Sequence, residues 1–92
     1  MKTIWKFNLN IEDEQKVVMP KDAKILTAQM QKDTLCLWAL VDTDITVIDE
    51  NRYIGIYGTG NPIPAPENIK KYISTFQLHD GGLIFHIFEL NK

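Results

Sequence analysis

The stretch Tyr72-Ile73-Ser74-Thr75-Phe76-Gln77-Leu78-His79, followed by Asp80-Gly81-Gly82 and then Leu83-Ile84-Phe85-His86-Ile87-Phe88-Glu89-Leu90, reads as two strands joined by a turn. Aromatic and β-branched residues favour extended backbone, and Asp-Gly-Gly supplies the positive φ that a tight reversal needs. A two-residue loop would pair either His79 with Gly82 or Asp80 with Leu83, and both registers put the same residues on the same face. Phe76, Leu78, Leu83, Phe85 and Ile87 then make an apolar core face. Thr75, Gln77, His79, Ile84, His86 and Phe88 make the other, too apolar for idle solvent surface and too polar for a dry core. Such a face suits a ligand pocket or a subunit interface.

Working back toward the N-terminus, the same alternation recurs. Thr3 to Asn10 sets Trp5, Phe7 and Leu9 on one side and Lys6 and Asn8 on the other. Gln15 to Met19 is a short strand stopped by Pro20, with Lys21-Asp22 as a turn. Lys24 to Lys32 alternates with Leu26, Ala28 and Met30 facing one way, and Gln31 to Thr34 reads as a hairpin turn. Leu35 to Val41 is apolar on both faces, the mark of a central strand. Asp42 to Asn51 is an acidic loop or edge strand, and Arg52 to Tyr57 a further strand. Three prolines prevent Gly58 to Pro66 from continuing it, and Glu67 to Lys71 has room for one helical turn. The expected fold is therefore mostly β: one domain over residues 1–92, a small antiparallel sheet sandwich or partly open barrel of seven to eight strands, with at most one short helical turn.

Composition narrows the function classes. Ten Lys and Arg against twelve Asp and Glu give a net charge of −2, and Arg52 is the single arginine. Proteins that track nucleic-acid backbones carry a basic face and several arginines, so no DNA or RNA partner is expected. A small anion needs only one or two cations and some backbone amides. Cys36, the single cysteine, excludes an internal disulfide and a cysteine-based metal site, and two histidines are too few for a histidine cluster. The longest apolar run, Leu35 to Val41, is too short to span a bilayer, and a charged residue precedes any apolar stretch at the N-terminus. No membrane partner, metal or cofactor is expected, and cytosol is the default compartment.

Four groups of residues could carry chemistry. His79 and His86 read either as hydrogen-bonding residues of the hairpin or as ligand contacts; as catalytic groups they have only Asp80 for a carboxylate partner. Gly58-Thr59-Gly60-Asn61 reads as a plain turn or as a cradle whose amides, hydroxyl and carboxamide face an anion. It lacks the lysine and helix of a triphosphate-binding loop. Trp38, Tyr53 and Tyr57 read as core or as flat surfaces for a base. Asp42, Asp44, Asp49 and Glu50 read as solvated surface, without the spacing of a calcium loop.

Several strings also resemble a known family. They are Lys2-Thr3-Ile4-Trp5-Lys6-Phe7, Met19-Pro20 followed by Ala23-Lys24-Ile25-Leu26, Cys36-Leu37-Trp38-Ala39-Leu40-Val41-Asp42, Gly58-Thr59-Gly60-Asn61-Pro62-Ile63, and Ser74 through Glu89. Nearly end to end, the chain resembles a family of small phage-encoded proteins, and is similar to the fourth anti-CBASS family of cyclic-nucleotide sponges. That resemblance implies a homotetramer in the host cytoplasm that sequesters cyclic GMP–AMP without cleaving it, blocking CBASS defence. The chain departs from the family pattern at Asn61, where relatives often carry His, and at Asp80 inside the turn; either bears on ligand choice. The resemblance carries over no site residues. From residue chemistry, a sponge would use Gly58, Thr59, Gly60 and Asn61 for phosphate, and Tyr57 or Trp38 for base stacking. Gln77 and His86 would serve hydrogen bonds, and Arg52 or Lys24 positive charge. The competing readings are a protein-binding phage inhibitor that caps a host enzyme, and a phosphodiesterase using His86.

Overall fold

The computed structural model describes residues 1–92 and contains seven strands. They are β1 (Lys2–Leu9), β2 (Glu14–Pro20), β3 (Lys24–Gln31), β4 (Thr34–Asp42), β5 (Asp49–Gly58), β6 (Ile69–Leu78) and β7 (Leu83–Leu90). Single 3-10 turns at Pro66–Asn68 and His79–Gly81 are the only helical backbone. The strands form two antiparallel sheets, ordered β1-β4-β3 and β2-β5-β7-β6. The thin axis of 16 Å holds two layers of backbone, so the molecule is an open sandwich with a 43 by 31 Å face.

The apolar run of β4 lies, as its sequence requires, in the middle of its sheet. Leu35, Leu37, Ala39 and Val41 pack inward, and Cys36 on the other face is also buried. Facing them from the second sheet are Met19, Ile54, Ile56, Phe76 and Ile87, all within the same apolar cluster. Along β1 the inward side chains go from buried at Leu9 to half-buried at Phe7 and 43% exposed at Trp5. The cause is topological: β3 packs beside β6 and β4 near β2, while β1 lies outside the overlap of the sheets.

Irregularities in the ladder correct three sequence expectations. Leu26 was expected on the core face with Ala28 and Met30, yet it is 43% exposed while Ile25 and Ala28 are buried. A bulge between Ile25 and Thr27 inserts Leu26 as an extra residue and reverses the alternation. The β6–β7 loop has four residues rather than two. Its ladder keeps the diagonal that would pair His79 with Gly82, but opens at Leu78 and Leu83. His79, Asp80 and Gly81 all take positive φ there, closed by the Gly82 amide donating to the His79 carbonyl at 2.9 Å. Leu83, beside that loop, is 46% exposed instead of core. Strands β5 and β6 also start three residues earlier than their hydrophobic pattern, at Asp49 and Ile69, because β2 and β7 supply partners for the polar lead-in.

One buried serine ties the two sheets together. A second bulge, between Tyr72 and Ser74, turns Ser74 inward. Its hydroxyl donates to the Ala28 carbonyl at 2.6 Å, while the Ala28 amide donates to Ser74 Oγ at 3.3 Å. Ala28 is completely buried, so no water replaces this partner. Ser74→Ala is expected to cost about 1–3 kcal/mol, the desolvation of an amide and a carbonyl left unpaired, as measured by chemical denaturation.

Candidate functional site

The Gly58–Asn61 turn and the β6–β7 loop meet at one end of the four-stranded sheet. Gly60 takes φ +85°, a conformation side-chain-bearing residues rarely adopt, and its amide donates to no group of the chain. The Asn61 amide closes the turn on the Gly58 carbonyl at 3.0 Å, and the Thr59 amide ties it to the Ile84 carbonyl at 3.0 Å. The Asn61 carboxamide lies so close over Gly58 that a Cβ there would stand 2.8 Å from Nδ2. Between this turn and Gly81–Gly82 lies an open cleft of about 270 Å³ walled by glycine backbone, Thr59 and Asn61 on one part and by Leu83, Ile84 and Phe85 on the other.

From that corner a hydrogen-bonded chain crosses the outer face of the sheet. Thr59 Oγ1 lies 2.7 Å from His86 Nε2, and His86 Nδ1 lies 3.0 Å from Thr75 Oγ1. Thr75 Oγ1 in turn is 2.7 Å from the Tyr72 hydroxyl. Hydroxyls both donate and accept, so this chain satisfies His86 in either tautomer. His86 pairs across the sheet with Tyr57 on one side and Thr75 on the other, which fixes all three on this face. Gln77 shares it, its Oε1 lying 3.3 Å from where a Gly81 Cβ would be.

Of the ten residues singled out by sequence, seven are therefore gathered here: Tyr57, Gly58, Thr59, Gly60, Asn61, Gln77 and His86. The remaining three lie elsewhere. Trp38 and Lys24 are on the outer face of the three-stranded sheet, where Lys24 pairs with Leu40. Arg52 points inward at the opposite end of β5, bidentate to Glu89 at 2.5 and 3.1 Å and donating to the Ala23 carbonyl at 2.7 Å. Its charge is spent inside the fold.

Tyr57 is placed on the expected face but not as an open platform. Its ring lies back across Gly55, 6.3 Å from the Phe88 ring, and only 9% of the residue is exposed. Burial first, and the nearby charge of Asp13 second, push its phenol above the usual range, so it stays protonated and able to donate. The aromatic surface open to a ligand belongs to Tyr72, 54% exposed and edge-on to Phe88 at 5.8 Å. Plain alternation would have put Tyr72 with Ser74 and Phe76 in the core; the bulge at Ile73 moves it across, and no residue type announces that bulge.

Against known families, a model of a domain of unknown function, DUF7352, matches residues 1–92. The chain belongs to this family. No curated protein and no solved structure matches it. No group of three or more His, Cys, Asp or Glu is gathered as a metal site would require, and no helix is long and apolar enough to cross a membrane.

Proposed function

We propose that this protein is a phage sponge that binds cyclic dinucleotides, cyclic GMP–AMP among them, and withholds them from CBASS defence in the host cytoplasm without cleaving them. The observation that carries the reading is the glycine corner: Thr59 and the Asn61 carboxamide line its cleft, the unpaired Gly60 amide lies in the same turn, and the Thr59–His86–Thr75 chain runs from there across the sheet to the exposed Tyr72. Uncharged donors and an aromatic edge suit phosphodiesters and bases, and the end-to-end resemblance to the sponge family points the same way.

Size supports an oligomer. A cleft of about 270 Å³ falls below the roughly 300–1,000 Å³ of sites that enclose a small ligand. Capturing a micromolar signal takes about −8 kcal/mol or better. A second copy closing over the corner would supply the missing contacts, and a homotetramer provides such pairs.

Cyclic GMP–AMP added in hundredfold excess over its Kd stabilises a binder by about 2.7 kcal/mol, so a rise of about 10 °C or more in melting temperature is expected. Heating the complex should return the nucleotide intact, and His86→Ala should abolish the shift. Recovery of linear product instead would make the protein a phosphodiesterase. Absence of any shift with cyclic dinucleotides would favour the second reading, a protein-binding inhibitor of a host enzyme. The acidic loop speaks for that alternative, since it holds Ile45 fully exposed and Ile48 67% exposed among Asp42, Asp44 and Asp49. Charge reversal at those three aspartates would then release a co-purifying host protein.

A further inference from the structure

The outer face of the three-stranded sheet carries Trp38, Leu40 and Asp42 in a row along β4, with Lys24 beside Leu40 and Lys2 beside Asp42. At its Asp42 end this face meets the Lys21–Asp22 turn and the loop after β4, and together they enclose a cleft of about 570 Å³. It is the largest recess on the molecule. Lys2, Lys21 and Lys24 stand around it, and Leu40, Val47 and Ile48 supply its apolar wall. None of the three ammonium groups is ion-paired. Two carboxylates share the cleft: Asp42, engaged by the N-terminal ammonium at 3.3 Å and the Asp44 amide at 3.0 Å, and Asp22, whose carboxylate makes no ion pair. Three lysines against two carboxylates leave the recess net positive, which favours a bound anion.

A bare phosphate would leave the apolar wall unused. Trp38 lies just outside the cleft's lining, half-buried on the same face and two residues along β4 from Leu40, the partner of Lys24, about 7 Å at the rise of a strand. The step from Trp38 to the level of Lys24 matches the separation of base and phosphate in a mononucleotide. We propose that this cleft is a second binding site, for a nucleoside monophosphate whose phosphate sits among Lys2, Lys21 and Lys24 and whose base stacks on Trp38. It lies on the opposite sheet from the Gly58–Asn61 corner and does not depend on the reading of that corner.

The test uses the full chain carrying Trp5→Phe, which leaves Trp38 as the single indole. Titration with AMP should quench its fluorescence saturably, with a midpoint that rises with salt. Inorganic phosphate should compete, and adenosine alone should give no saturable quench. The double change Lys21→Glu and Lys24→Glu, both exposed, should weaken AMP at least roughly tenfold without altering the melting temperature. His86→Ala should leave the quench intact, which separates this site from the glycine corner. No saturation at millimolar AMP, an equal quench by adenosine, or an unchanged midpoint in the lysine double variant would each overturn the proposal.

Discussion

Arg52→Met is expected to cost about 3–5 kcal/mol and to lower the melting temperature by roughly 15 °C or more, a larger loss than any surface substitution would bring. Arg52 and Glu89 sit on adjacent strands with side chains only 12% and 6% exposed. The fork geometry satisfies both carboxylate oxygens, and the third guanidinium nitrogen reaches the Ala23 carbonyl at 2.7 Å. Glu50 stands behind them, 3.6 Å from Arg52 and accepting the Asp22 amide at 2.8 Å. Methionine fills the volume of the lost side chain but leaves Glu89 as an uncompensated buried charge and Ala23 without its donor. The deficit is therefore desolvation rather than a lost attraction. That distinction is testable, because removing both charges with Arg52→Met and Glu89→Leu should recover most of the stability. A double variant as unstable as the single one would mean that Arg52 acts through packing alone.

This pair also shows where sequence reading stops. Arg52 in isolation is the single arginine of an acidic chain and invites assignment to an anionic ligand. Its real partner is 37 residues away, fixed by the β5–β7 register. By contrast, the hairpin, the central position of β4 and the mixed face around His86 follow from period-two alternation, a property each strand carries within itself. Bulges break that transparency. Leu26 and Tyr72 each change face because one inserted residue shifts the count, and the gain that pays for the insertion is made on another strand. At Ile73 the compensation is the Ser74–Ala28 bond pair; its partner is visible only once the sheets are stacked. Six of the seven gathered site residues were legible because they come from two local signals, the Gly-Thr-Gly-Asn turn and the Thr-Gln/His pairing of one hairpin; Tyr57 follows from the strand that leads into the turn.

Gly55→Val is expected to destabilise the fold by about 2–3 kcal/mol and to disturb the aromatic face at the same time. An ideal Cβ at Gly55 would stand 2.8 Å from Tyr57 Cε2, 2.9 Å from its hydroxyl and 3.1 Å from Leu90 Cδ1. The tyrosine ring thus occupies the space a side chain would need, and two γ-methyls can be accommodated only if the ring leaves. Expelling it forfeits most of the roughly 1.5–3 kcal/mol of a buried aromatic, together with about 0.5–1.5 kcal/mol for its pairing with Phe88. Valine's preference for extended backbone returns up to about 1 kcal/mol, too little to offset the loss. The near-ultraviolet circular dichroism of the buried tyrosine should collapse in parallel with the fall in stability. A mutant cycle isolates the cause: in a Tyr57→Ala background only the mobile end of the Leu90 side chain still crowds the added Cβ, so Gly55→Val should lose most of its cost. If valine remains equally costly there, the glycine serves the backbone and not the ring. If the cost disappears, Gly55 and Tyr57 form one unit, and the glycine is what lets a tyrosine lie flat against the sheet beside Phe88, keeping Tyr72 as the exposed aromatic of the candidate site.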